Sequence, residues 1–392
     1  MQTDRTSLPL SRRTLLGGLG AAGVALRIGA PGIARAADKL SFGLAMPLTG
    51  SQATYGQDQV RATRWAIEAI NKAGGVDGRP LEAIILDTQA DPQVGIQAVN
   101  RLISVDHVPI FVTAWSEVVK AVAPIANDSK TLELSVGANA PAVAKLGEYV
   151  YTTFPLADVD VAAVARYAAT TLHKKRAAVL FINNETGIGS AQVYRKSFTG
   201  AGGTVVGYEA YDPKATDWTG QILKLRGANP DVVHIQGLVA DTPQIIAQMR
   251  QLGMNQTISS YSAIYNPGLI QKLGAAANGV IATSLAPGAS DSPAVKAYVE
   301  RWVKEVGRQP NGLPYTQYLH DTPYLVADIY KGMLAKKMAM TGANARTEML
   351  AIGTFQLPLT GKLVINPNHT VDKPVYLMEV VNGAWKQIAV VG

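Results

Sequence analysis

Short apolar runs of the strand type alternate along most of this chain with longer stretches in which apolar residues recur every three or four positions. Residues 40–46 read as a strand. Residues 57–73 place Val60, Ala66, Ile67 and Ile70 on one helical face, and Gly74 supplies the stop. Residues 81–86 read as a strand again. Asp91-Pro92 then opens a helix, with Asp91 as N-cap, Pro92 in the first turn and Val94, Ala98, Leu102 and Val105 turned inward. A strand at 108–113, a helix at 116–129 and a strand at 132–136 come next.

The rhythm then restarts. Residues 177–182 predict a strand and 189–201 a helix. Residues 204–208 and 231–236 predict strands, 241–252 a helix and 279–283 one more strand. Alternating β and α units imply parallel sheets with helices on both faces. Two such series predict an α/β protein of two similar lobes. The tail departs from the pattern: helices at 292–306 and 316–337 precede strands at 354–357, 363–365 and 375–381, and Gly383 marks a turn before a last strand. A β-rich tail after two α/β series implies that the chain crosses back between lobes to complete its sheets.

Length agrees with two lobes, since 392 residues exceed what one hydrophobic core usually serves. The first 37 residues obey a different logic. Arg12-Arg13 lies in SRRTLLGG, an apolar stretch covers 15–26, and Ala34-Arg35-Ala36 comes after it. Paired arginines, a short apolar segment and an A-x-A site predict a twin-arginine export signal cleaved near Ala36-Ala37. About 12 apolar residues are too few to span a bilayer. Cleavage there removes five arginines and one aspartate, and the formal charge falls from +7 to +3. The basic balance of the whole chain is therefore partly a property of the signal, and no nucleic-acid partner is expected. The absence of cysteine excludes disulfides, thiolate metal sites, a thiol nucleophile and a lipidated cysteine.

Catalytic signatures are missing. The five histidines (107, 173, 234, 320 and 369) have no metal-ligand spacing, and there is no serine nucleophile elbow or phosphate-binding P-loop. Gly187-Ile188-Gly189 lies just after a strand, but Gln192 stands where a dinucleotide fingerprint needs its third glycine. That stretch reads as a tight strand-to-helix turn. His320-Asp321 reads as a polar pair rather than half of a catalytic triad. Neither a cofactor, a metal nor an enzymatic activity is expected.

Residues 40–92 carry a resemblance. A strand ends in P-L-T-G, Tyr55-Gly56 comes next, a helix ends in I-N-K-A-G-G-V-D-G, and a further strand leads to D-T-Q-A-D-P. This segment resembles the branched-chain amino acid (Leu/Ile/Val) type of periplasmic binding protein of ABC transporters. APIANDSKTLELSVGANAP at 123–141, NNETGIGSA at 183–191 and PDVVHIQG at 230–237 extend the resemblance more thinly. It implies a Venus-flytrap fold with a three-crossover hinge. The first lobe is expected over 38–155 and 286–360, the second over 156–285 and 361–392.

The resemblance also implies cleft residues. Tyr55 matches the aromatic residue of the first loop. Trp115 and Ser116 match the loop after the third strand, where a serine at a helix N-terminus holds a ligand carboxylate. Gly137, Ala138 and Asn139 match the next loop, which grips the amino-acid head group. In the second lobe Thr186 and Leu238 match lid aromatics, and Ser262 matches the acid that neutralises an α-ammonium; Tyr265 stands nearby as a ring to stack on a ligand. The departures count. Asn139 replaces a threonine, Thr186 and Leu238 replace aromatics, and Ser262 replaces an acid, with no Asp or Glu between Asp241 and Asp291. A buried ammonium without an acidic partner is costly. The expected ligand is thus a small carboxylate without an amino group, an aromatic or branched organic acid. The alternatives are a branched-chain or other amino acid, or a soluble ligand sensor of the same fold. The expected setting is the periplasm, as a monomer that delivers its ligand to an ABC permease.

Overall fold

In chain order the elements are β1 (Leu40–Met46), α1 (Ala53–Lys72), β2 (Leu81–Asp87), α2 (Pro92–Ser104), β3 (Ile110–Thr113), α3 (Ser116–Ser129), β4 (Leu132–Ser135) and β5 (Val150–Thr152). A second series comprises α4 (Asp160–Thr170), β6 (Arg176–Ile182), α5 (Glu185–Gly200), β7 (Thr204–Tyr211), α6 (Thr219–Gly227), β8 (Val232–Gln236), α7 (Thr242–Gln251), β9 (Thr257–Ser260), α8 (Pro267–Leu273) and β10 (Val280–Ser284). The tail comprises α9 (Pro293–Val306), α10 (Leu313–Ala335), α11 (Gly342–Ile352), β11 (Thr354–Leu357), β12 (Gly361–Ile365), β13 (Val371–Asp372), β14 (Val375–Val381) and β15 (Ala384–Val391). This computed structural model describes residues 38–289 and 292–391. The expected export signal at 1–37 lies outside the described residues.

Two sheets are wound alike. The first has the order β2-β1-β3-β4-β5 and is parallel throughout. The second repeats that order as β7-β6-β8-β9-β10. It then gains β14, antiparallel to β10, and β15, antiparallel to β14. The period-2 alternation of each strand supplies two buried faces. Phe42, Leu44, Ile110, Val112 and Leu134 pack towards Leu325, Val326 and Ile329 of α10. Ala45 and Phe111 pack instead with Val118, Val119 and Val122 of α3. In the second sheet Leu180, Val233 and Ile235 meet Trp218, Ile222 and Ile245, while Ala177, Val179 and Val232 meet Val164, Tyr194 and Phe198.

The chain passes between the two sheets after β5, after β10 and after β13. The last passage differs from expectation, which gave 361–392 to the second lobe. β12 and β13 pair with β11 in a small antiparallel sheet. Its Phe355, Leu363, Ile365 and Val371 enter the core of the first lobe, so the passage falls at Lys373 and Pro374. His320-Asp321 is structural, as expected. Asp321 accepts from the Leu359 and Thr360 amides and from the Thr360 hydroxyl, at 2.7–3.1 Å, and from His320 Nδ1 at 3.1 Å. Buried Lys373 closes the same joint by donating to the Thr360 carbonyl.

Several elements extend beyond their sequence patterns. The helix expected from residue 57 begins at Ala53, because Gly56 lets α1 run against the end of β1: a Cβ there would lie 1.8 Å from the Pro47 carbonyl oxygen. The second lobe uses the same device. A Cβ at Gly187 would lie 1.9 Å from the Ile182 carbonyl oxygen, and α5 starts at Glu185 with Asn184 capping the Gly187 N–H at 2.9 Å. α4 escaped the pattern altogether. Val161, Ala162, Ala163, Val164, Ala165, Ala168 and Ala169 are all buried, and Arg166, Tyr167 and Thr170 leave only a narrow outer stripe to mark its register.

Candidate functional site

Both sheets direct the carboxyl ends of their strands at one cavity of about 630 Å³, part of it open to solvent. The first lobe contributes Gln52, Tyr55 and Gln59 after β1, Ala114, Trp115 and Ser116 after β3, and Gly137 and Asn139 after β4. The second contributes Thr186 after β6, Leu238 and Val239 after β8, and Tyr261 and Ala263 after β9. Gly312 and Tyr315, at the start of α10, close one wall. In each lobe the site straddles the point where strand order reverses, between β1 and β3 and between β6 and β8, where open α/β sheets bind ligands.

The turn from β3 into α3 faces the cavity through Ala114, Trp115 and Ser116. Trp115 precedes the helix at φ +63°, a conformation unfavourable for a bulky residue, and provides no side-chain cap. The first N–H groups of α3 are thereby left to other partners. The Ser116 hydroxyl, almost fully buried, accepts from the Ala140 N–H at 3.2 Å. That contact occupies a lone pair and leaves the hydroxyl proton for a further acceptor.

Asn139 bridges the lobes. Its Nδ2 donates to Asp160 at 3.3 Å and to the Pro155 carbonyl at 3.4 Å, and its Oδ1 accepts from Ser190 of α5 at 3.3 Å. Asp160, at the start of α4, is fully buried and also accepts from Ser262 (3.0 Å) and Thr283. Burial pushes its carboxyl up to about 6, and the hydrogen bonds from Thr283, Ser262 and Asn139 restrain the rise. The Tyr315 ring stacks on Phe154 with centroids 4.8 Å apart. It packs so closely on the β4 loop that a Cβ at Gly137 would approach its Cδ1 to 2.9 Å. The lobes also meet where α3 faces α5: Lys120 pairs with Glu185 at 2.7 Å. Burial raises the Glu117 carboxyl, while the amides of Glu117 itself, Thr186 and Glu185 oppose the rise.

Seven of the residues expected at the cleft are brought together there: Tyr55, Trp115, Ser116, Gly137, Asn139, Thr186 and Leu238. Three are placed elsewhere. Ala138 is buried in the core against α3. Ser262 lies behind the lining, where its hydroxyl serves Asp160. Tyr265 turns outward after a 3₁₀ turn at Ser262–Ile264 and packs edge-on against Trp385, centroids 5.4 Å apart. Sequence reasoning missed Gln52, Gln59 and Tyr315; Tyr261 also lines the cavity. The first two carried a usable signal, since Gln52, Tyr55 and Gln59 recur at i, i+3 and i+7 of one helix face. Asp321 and Asp87 are both outside the lining. Asp87 instead holds the β1 loop through the Leu48 and Gln89 amides, each at 2.8 Å, and the Thr49 hydroxyl at 2.5 Å.

Among the described residues the lining contains no Asp, Glu, Lys, Arg or His. Among the described residues no three His, Asp or Glu side chains are grouped to hold a metal ion. None of the helices there is long and apolar enough to cross a membrane.

Comparison with known proteins gives a consistent picture. The chain is 28% identical over 330 residues to a leucine-, isoleucine-, valine-, threonine- and alanine-binding protein of Pseudomonas aeruginosa, covering 84% of this chain and 86% of that one. Its fold is similar to that of a branched-chain amino acid transporter substrate-binding protein of Streptococcus pneumoniae in complex with isoleucine, with a TM-score of 0.80, 20% identity and coverage of 90% and 99%. It is also similar to that of a solute-binding protein of an ABC transporter of Rhodopseudomonas palustris in complex with 3,4-dihydroxybenzoic acid, with a TM-score of 0.78, 22% identity and coverage of 90% and 97%. The family model for periplasmic binding proteins matches residues 39–384, nearly the whole chain beyond the predicted signal, and the chain belongs to that family.

Proposed function

We propose that this protein is the exported solute-binding component of an ABC importer and that it captures a small carboxylate-bearing molecule, an aromatic or branched organic acid, between its lobes. One observation carries the choice of ligand. The cleft offers a carboxylate the start of α3 and the Ser116 hydroxyl, yet among the described residues its lining has no acid to receive an ammonium. Tyr55, Trp115, Tyr261 and Tyr315 add the faces on which a ring would stack. The solved relatives include a binder of a dihydroxybenzoic acid, so the fold accommodates such ligands. In this reading the ligand docks on the first lobe, the second closes over it, and the permease takes the closed form.

An amino acid is the second reading, and Asp160 favours it. Burial raises its carboxyl to about 6, and Asp160 lies one hydrogen bond behind Ser262 and Asn139. Its oxygens are already engaged and it is sealed from the cavity, so it would act on an ammonium only from a distance. Calorimetric titration of the purified mature protein with benzoate, 4-methyl-2-oxopentanoate and leucine decides between them. Tighter binding of either amine-free acid than of leucine supports the proposal. Tighter binding of leucine than of every amine-free acid overturns it.

A further inference from the structure

We infer that Gln59, assisted by Gln52, receives a hydroxyl at the end of the ligand remote from its carboxylate, so that the cleft selects a hydroxylated acid over a purely hydrocarbon one. The inference rests on the carboxylate reading and refines it.

Gln59 is 4% exposed, lines the cavity, and its Oε1 has no hydrogen-bond partner among the described residues. Its polar neighbours on α1 are committed elsewhere. Asp58 receives Arg308 Nη1 and Nη2 at 2.7 and 2.8 Å, and the Asn311 amide and side chain at 2.9 and 2.8 Å. Thr63 gives its hydroxyl to the carbonyls of Gln59 and Leu319. A buried carboxamide oxygen without a partner is unfavourable in the empty protein, and a ligand that supplies the missing donor removes the defect.

The position suits the far end of a small acid. Gln52, Tyr55 and Gln59 project from the helix after β1, whereas the anion site belongs to the loops after β3 and β4. Those strands are one and two places along the sheet from β1, a separation of about 5–10 Å. A benzene ring with a carboxylate and a para substituent has that length. A carboxamide both donates and accepts, as a hydroxyl does, so the two match in either orientation of the amide. A methyl group of similar size leaves Oε1 as unsatisfied as before.

Calorimetry with 4-hydroxybenzoate and 4-methylbenzoate as probes tests the inference. The wild-type protein is expected to bind the hydroxy acid about tenfold more tightly, the effect of one buried hydrogen bond. In Gln59→Met the preference should fall to about twofold or less. Gln52→Met should reduce the preference by a smaller factor. Equal binding of the two probes by the wild type, or an undiminished preference in Gln59→Met, overturns the inference. Failure of both acids to bind the wild type, with binding of amino acids, strikes the carboxylate reading instead; tyrosine against phenylalanine, in wild type and Gln59→Met, then decides the hydroxyl question on the same criterion.

Discussion

The Tyr315 hydroxyl of α10 lies 3.2 Å from the Ser262 hydroxyl. Ser262 donates its own proton to Asp160, so Tyr315 is the donor of this pair and the contact ties α10 of the first lobe to the buried acid of the second. It exists only while the lobes are together. Tyr315→Phe keeps the ring against Phe154 and Gly137 and removes this one bond. A neutral hydrogen bond contributes about 1 kcal/mol, so closure weakens and ligand affinity falls about fivefold with little change in melting temperature. Calorimetry alongside a thermal melt checks both halves of that expectation.

Ser116→Ala should have a larger effect, because a hydrogen bond to a charged group is worth about 1.5–3 kcal/mol. Affinity for a carboxylate ligand is expected to fall about 10- to 100-fold. The amide of the same ligand, which lacks the charge, should lose much less. An equal loss for acid and amide would remove Ser116 from the anion site.

Gly137→Ala meets two obstacles. Its φ of +93° suits only glycine, and a Cβ would press on the Tyr315 ring at 2.9 Å. The ring must move, and with it the wall of the cavity and the contact to Ser262. We expect a loss of affinity of at least about tenfold and destabilisation of about 1–3 kcal/mol. Urea unfolding and ligand titration of the variant measure the two terms separately.

Glu133 predicts a pH dependence of stability. It is fully buried in β4, accepts from Thr113 at 2.5 Å, and its other oxygen is without a partner among the described residues. Burial pushes its carboxyl up to about 8. The folded state therefore holds a proton that the unfolded chain releases from about pH 4.5 upward. Stability is lost as pH rises through that window, by up to about 1.4 kcal/mol per pH unit. Asp160 adds a similar loss at lower pH, between its ordinary value and about 6. Glu133→Gln removes the upper part. Urea midpoints should be close to wild type at pH 5 and higher than wild type at pH 8.5; a wild-type midpoint unchanged over this range would contradict the assignment.

Much of the fold was legible because its signals are local. Asp91 and Pro92 cap α2 through side-chain contacts to Gln93 and Val94, two and three residues away. The alternation within β1 and the spacing on α1 are set by burial on one face, which the chain records in neighbouring positions. Strand ends and the glycines beside them then place Tyr55, Trp115, Ser116 and Thr186 at the carboxyl edges of two sheets, where the site is found. A mostly buried helix such as α4 leaves little such record, and a boundary such as Lys373 depends on which core the preceding hairpin joins.

What the sequence by itself determined, then, is the alternation of elements, their two-series winding and the residues that strand ends present. Tertiary structure alone decided which remote groups meet there. Tyr315 reaches a cavity shared with Tyr55 from 260 positions away, Asp160 takes up Ser262 across 102, and Tyr265 is turned out of the site by a single 3₁₀ turn. The physical reason is that these contacts depend on how two cores pack and how the lobes approach each other, and no local spacing encodes a partner that only packing supplies.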